Sequence, residues 1–254
     1  PPTDPAAIVK LRIFTPTQEI PFAGHPVIGT FFVLSLLKRF PLQEPVTRFM
    51  FECNIGLFPV ELVVFKGFVE QVIMSQPEPE FLGMVDDLQD LYEISRALGL
   101  NKTNIVDTFL PVEIVSTGLP VVIVPVRTLT AVKSIQVDLT GLNAVCDRLG
   151  VNGMMVFTPI TVEDWADVHT RMFAAPIGIF EDPATGSSSG ALGAYLVKNG
   201  VVDVGPTTEI VMEQGYEIDR PSRILVQVFS DDDKIQQIKV GGQVVMVAEG
   251  KLLF

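Results

Sequence analysis

The sequence predicts an α+β protein of two pseudo-symmetric halves, each a curled, mainly antiparallel sheet around a buried central helix. Three observations lead there. Strand-like runs follow one another across short turns in both parts of the chain, without the strand–helix–strand rhythm that builds parallel sheets. The segment after Pro26 is apolar on every side (Val27, Ile28, Phe31, Phe32, Val33, Leu34, Leu36, Leu37), so as a helix it needs wrapping by other structure. Finally, two helix starts resemble each other: Phe22-Ala23-Gly24-His25-Pro26, and Asp182-Pro183-Ala184-Thr185-Gly186-Ser187. One carries a histidine and the other an aspartate, as expected of two related halves facing each other across one cleft.

Taken in order, Val9, Leu11 and Ile13 alternate with Lys10, Arg12 and Phe14, a period of two that predicts a strand leading into a turn over Thr15 to Pro21. The helix after Gly24-His25 follows. Strands are expected at Arg48 to Cys53, Leu57 to Phe65 and Phe68 to Ser75, joined at Asn54-Ile55-Gly56 and Lys66-Gly67. Gln76 to Glu80 reads as an acidic, proline-rich loop. Leu88, Leu91, Ile94 and Leu98 then recur at helical spacing within Asp86 to Leu98, stopped by Gly99. The halves divide near Asn101 to Thr108, giving residues 1–105 and 106–254.

The second half should hold strands at Val112 to Ser116, Val121 to Val126, Met154 to Thr158 and Val168 to Phe173, and a short helix from Thr140 to Leu149 between caps Thr140 and Gly150. The segment Asp182 to Lys198 follows, its small-residue helix opened by Thr185, Gly186 and Ser187 and stopped at Asn199-Gly200. Beyond it, Glu209 to Met212, Ile224 to Ser230, Ile235 to Val240 and Val244 to Ala248 read as strands. Asp231-Asp232-Asp233 and Gly241-Gly242 serve as turns, and the last strand is expected to return to the first half.

Composition narrows the function. A formal net charge of −12, from 18 basic and 30 acidic residues, argues against nucleic acid or an anionic membrane as partner. The longest apolar runs, Val27 to Leu37 and Leu119 to Val126, fall short of the roughly 20 residues that span a bilayer. Cys53 and Cys146 are too few for a disulfide framework and have no metal-ligand spacing, so each is expected as buried filler in a cytoplasmic setting. A mean hydropathy of +0.40 is high for a monomer and suggests a homodimer, which sedimentation at micromolar concentration would reveal as twice the chain mass.

No dinucleotide, Walker or zinc-protease signature occurs, and His25 and His169 are the only histidines. His169, within a strand pattern, reads as a structural or surface residue. His25 stands at the mouth of a buried helix, where Gly24 would let a ligand approach the backbone. Asp182 is either a cap or an acid–base group beside a helix start, a place that suits a carboxylate or phosphate because its first N–H groups lack partners. Glu181 is expected to be solvated. Gly186-Ser187-Ser188-Ser189-Gly190 matches G-x-S-x-G, the remote alternative being a serine hydrolase, although no hydrophobic strand runs into it and the residue order is wrong.

Three stretches carry a wider resemblance: RIFTPTQEIPFAGHPVIGT, RMFAAPIGIFEDPATGSSSGALGAYLVKNG and EQGYEIDRPSRI. They resemble the signature blocks of the phenazine-biosynthesis (PhzF-like) isomerase family, which shares its fold with diaminopimelate epimerase. The resemblance implies an isomerase or epimerase that moves a proton on a small, amino-acid-like carboxylate without metal or cofactor. By it, His25 and Asp182 assist the transfer, and Gly24, Thr185, Gly186 and Ser187 hold the substrate. The two cysteines of related epimerases would fall near Ala23 and Thr185, so two-thiol racemisation is not expected. Family members also carry an acid–base glutamate in an S-E-x-T-F-V-type segment ahead of the RIFTP strand, together with a first strand and helix; the sequence has neither, and on this reading belongs to a longer protein. A catalytically silent binding or interaction protein on the same scaffold is the alternative.

Overall fold

The structure is a computed structural model and describes residues 1–15, 17–231 and 234–251. The expected first strand forms as two pieces, β1 (Ala7–Lys10) and β2 (Ile13–Phe14), and β2 folds back on β3 (Glu19–Ile20) as a separate ribbon. Its inward residue Ile13 is buried and Phe14 exposed, so the period of two holds across the break. The turn between β2 and β3 includes Pro16, which lies outside the described residues. Helix α1 spans Gly24–Leu36.

β4 (Val46–Cys53), β5 (Gly56–Phe65) and β6 (Phe68–Ser75) form the expected antiparallel meander. Its second turn places Lys66 at φ 51° and Gly67 at φ 80°, the left-handed backbone that a two-residue hairpin requires. Val27, Ile28 and Phe31 of α1 pack into the concave side, where Phe31 meets Phe40, Phe49 and Phe51. The expectation that this helix is wrapped on all sides is corrected: Phe32, Val33 and Leu34 are half-buried, and Leu36 and Leu37 are exposed. The sheet covers one flank only, because β1 is its edge and no described strand continues past it.

The loop after Ser75 is shorter than expected, since β7 (Glu80–Met84) begins within it; Glu80 and Gly83 disguise an edge strand with exposed Leu82 and Met84. Helix α2 (Leu88–Ala97) is capped by Asp87, and a single turn, α3 (Thr103–Val106), leads to β8 (Glu113–Ser116) and β9 (Pro120–Pro125). Two helices follow, α4 (Leu129–Lys133), capped by Thr128, and α5 (Leu139–Leu149). The N-cap of α5 is Asp138 and not Thr140; its carboxylate accepts the Thr140 N–H, and Gly150 ends the helix at φ 67°.

β10 (Met154–Thr158) then lies parallel to β9, which corrects the expectation that no strand–helix–strand unit occurs. β1 with β4 and β11 (Val168–Ala174) with a later strand are also parallel. Strands β9 and β10 are buried on both faces: Ile123, Met155 and Phe157 join one core, Val122, Val124, Met154 and Val156 the other. A continuous apolar run is how a parallel strand between two layers reads.

β12 (Ile179–Asp182) delivers the chain to α6 (Gly186–Lys198), which is buried from Gly186 through Leu196. The chain closes with β13 (Thr207–Gln214), β14 (Ser222–Asp231) and β15 (Lys234–Gly242). In the expected turn between the last two, Asp232 and Asp233 lie outside the described residues. Val244 to Ala248 is not a strand, and Val245 and Val247 are exposed. Nor is Gly241-Gly242 a turn. Both glycines belong to β15, where a Cβ on Gly241 would stand 2.8 Å from the Val72 carbonyl of β6. The sheet therefore runs β1-β4-β5-β6-β15-β14-β13-β11-β10-β9-β8-β7, joining the first and last parts of the chain through β6 and β15. Both α1 and α6 pack on it beside β15, and α2 and α5 pack against each other in a separate layer. No described helix is long and apolar enough to cross a membrane.

Candidate active site

The starts of α1 and α6 meet. A Cβ on Gly24 would lie 2.6 Å from Gly186 Cα, and one on Gly186 2.7 Å from Gly24 Cα. Gly24 thus admits another backbone, a reason different from the ligand approach that the sequence suggests. The N-cap residues are Ala23 and Thr185; neither gives a side-chain cap, and neither first turn contains an acid. Helices α2, α4 and α5 are all capped by side chains. Two sets of unpartnered N–H groups, each at the positive end of a helix dipole, are therefore brought together.

Asp182, at the end of β12, is 7% exposed. Its Oδ2 accepts the Thr185 hydroxyl at 2.7 Å and Oδ1 the Ala184 N–H at 3.3 Å, so the carboxylate braces the turn ahead of α6 and does not cap the helix. His25 Nδ1 stands 4.0 Å from Oδ2, and this side chain is 55% exposed. Gly24, His25, Asp182, Thr185, Gly186 and Ser187 all line one small cavity of about 40 Å³ with an apolar wall that includes Met172, Ile177 and Ile179. An open groove of about 330 Å³ adjoins it, sharing His25 and Gly186.

Three supporting residues escape the sequence reading. Thr117 Oγ1 lies 2.8 Å from the Ser187 carbonyl and 3.0 Å from Gln76 Oε1, fixing the first turn of α6. Gln214, fully buried, bonds Asp182 and Thr185 together. The Glu213-Gln214-Gly215 stretch is a visible signal, but nothing local says what Gln214 touches.

His169 is wholly buried, with Nδ1 2.6 Å from Glu213 Oε1 and Nε2 3.0 Å from Glu217 Oε1. Burial raises the Glu217 carboxyl, but the His169 hydrogen bond and the nearby charges of His169 and Arg171 outweigh it and hold the group below its usual range. Glu181, expected to be solvated, is half-buried as a residue, with its side chain only 3% exposed: Arg171 grips both its oxygens at 2.9 and 2.8 Å. His169 and Arg171 alternate with Met172 along β11, and Glu181 with Asp182 along β12, which directs all three away from the cavity. Cys53 and Cys146 are buried away from it, and burial pushes the Cys146 thiol up to about 12. The three serines of the G-x-S-x-G match are buried in the opening turns of α6 at ordinary negative φ, not on the strained elbow a nucleophile needs.

A sheet curled about two helices whose starts converge on a buried acid defines the class, a fold of the diaminopimelate epimerase type. Residues 1–250 match the family described as phenazine biosynthesis-like protein (PhzC-PhzF). The trans-2,3-dihydro-3-hydroxyanthranilate isomerase of Pseudomonas chlororaphis is 30% identical over 96% of this chain and 78% of its own length. An uncharacterized isomerase of Mesorhizobium japonicum is 33% identical over 99% and 82%. The PhzF-family structure from Bacillus anthracis superposes with a TM-score of 0.85 at 28% identity, covering 96% of this chain and 80% of that one. A hydroxyproline epimerase from Agrobacterium vitis, at TM-score 0.62 and 17% identity, shares the fold. The chain belongs to the phenazine-biosynthesis-like family, and with it to the isomerases.

Proposed function

We propose that this isomerase moves a proton between carbons of a small, amino-acid-like carboxylate by acid–base catalysis, without metal or organic cofactor. The observation that carries the reading is the convergence of two uncapped helix starts on a cavity walled by Asp182 and His25. Taking a proton from carbon beside an unsaturated carboxylate needs a base, a group to return the proton, and donors for the charge that develops. Asp182, as carboxylate, accepts the proton. His25, 4.0 Å from it and able to swing, returns or relays it. Backbone N–H groups at Gly24, Gly186 and Ser187 hold the carboxylate, as helix starts hold anions elsewhere.

The test uses the compound named for the Pseudomonas chlororaphis relative, trans-2,3-dihydro-3-hydroxyanthranilate, with a panel of cyclic amino acids in deuterated water, followed by NMR. Deuterium should enter at carbon in step with a new isomer. Binding with no exchange across the panel would favour the silent ligand-binding protein instead.

A further inference from the structure

Gln214 closes β13, fully buried, and has no part in the proton transfer just described, yet its carboxamide bonds the two residues that frame the acid. Nε2 donates to the Asp182 carbonyl at 2.5 Å and to Thr185 Oγ1 at 3.0 Å, and Oε1 accepts the Thr185 N–H at 3.4 Å. A hydroxyl has a single proton to give. The Asp182 carboxylate can only accept, so the hydroxyl gives its proton to Oδ2, 2.7 Å away, while its oxygen takes the Gln214 N–H. Thr185 is also the N-cap of α6, where a free threonine hydroxyl ordinarily accepts from the N–H of the second or third helical residue, here Ser187 or Ser188. That bond is not made.

Resting on the proton-transfer reading, we propose that Gln214 is a positioning residue that holds the Thr185 hydroxyl oxygen in place. It keeps that oxygen against Asp182 and off the first N–H groups of α6, which stay open for the carboxylate of the substrate. The backbone beyond it leaves little slack. Gly215 sits at φ +85°, and a Cβ there would fall 2.3 Å from the Arg220 carbonyl and 2.9 Å from that of Pro183, within the Asp182–Thr185 turn. Gln214 is thereby pressed onto the turn it bonds.

The test pairs binding of benzoate, measured by calorimetry, with the deuterium-exchange rate. Gln214→Leu keeps the bulk and removes the three bonds; the released Thr185 hydroxyl should cap its own helix, weakening benzoate about fivefold, the effect of one cap competing for the same donors. Exchange should slow as well. Thr185→Val alone sets the reference affinity for benzoate and should exchange more slowly than wild type, since Asp182 loses its donor. The double variant Gln214→Leu/Thr185→Val should bind benzoate as tightly as Thr185→Val without regaining exchange, so that Gln214→Leu weakens binding only where the hydroxyl is present, a dependence that a merely structural glutamine does not produce. A double variant weaker than Thr185→Val by the same fivefold, or a Gln214→Leu protein that binds normally, overturns the proposal. Should Gln214→Leu not fold, Thr185→Val decides, because unchanged exchange in that variant is equally fatal. If the wild-type protein takes up no benzoate at all, the carboxylate cradle falls and this inference with it; binding indifferent to the variants removes this inference alone.

Discussion

Asp182→Asn is expected to slow proton exchange by roughly 10²–10⁴, the usual worth of a positioned acid–base group, while the unfolding free energy changes by only about 1 kcal/mol. The two effects separate because of what the carboxylate touches. In the folded protein it accepts the Thr185 hydroxyl and the Ala184 N–H. An asparagine of the same shape still offers one carbonyl oxygen to either donor, so the turn before α6 keeps most of its bracing. What it cannot do is take a proton from carbon. The measurements are the exchange rate by NMR and urea unfolding of the same preparation. A variant that unfolds well before wild type makes Asp182 a structural brace, and one that exchanges at the wild-type rate makes it a bystander.

What could be read from the sequence follows from how far apart the determining residues lie. The β4–β5–β6 meander was legible because its turns are local: Lys66 and Gly67 take up the left-handed backbone between strands whose ends they join. Helix α6 was legible for a similar reason, with Thr185 before it and Asn199 after it. Six of the residues that line the cavity stand out in the sequence because they belong to the starts of α1 and α6 and the strand end beside them. Gln214 was not, since its partner Thr185 lies 29 residues away and a buried glutamine has no local signature. Thr117 and Ser187 are 70 residues apart. The parallel pairing of β9 with β10 was missed because both flanks of the crossover look like ordinary short segments; only the double-sided burial distinguishes them. Val244 to Ala248 failed in the opposite sense. Its composition suits a strand, but strand formation needs a partner, and no described strand pairs with it. The partial exposure of α1 is likewise a property of what surrounds the helix.

Gly24→Ala and Gly186→Ala are each expected to lower both stability and exchange, by forcing the two helix starts apart. Neither glycine has a positive φ, so backbone strain is not the reason. The reason is contact: a Cβ at either position comes within 2.6 or 2.7 Å of the other's Cα, and that neighbour is backbone at a helix start, which cannot rotate aside as a side chain can. Overpacking of this kind costs about 1–3 kcal/mol, and relief requires α1 and α6 to separate. Separation moves His25, carried by α1, away from Asp182, carried by the strand that feeds α6; a misplacement near 1 Å can cost on the order of 10²-fold in rate. Gly29→Ala supplies the control. It lies on the same helix, a Cβ there meets nothing within 4 Å, and replacing a helical glycine should stabilise the protein by about 0.5–1 kcal/mol with exchange intact. Since the alanines at 24 and 186 both press on the same contact, and one separation of α1 from α6 relieves both, the double variant should be less destabilised than the sum of the singles. Strict additivity, or a Gly24→Ala protein as stable and as active as wild type, would mean that the two helix starts do not touch, and the shared anion cradle would have no basis.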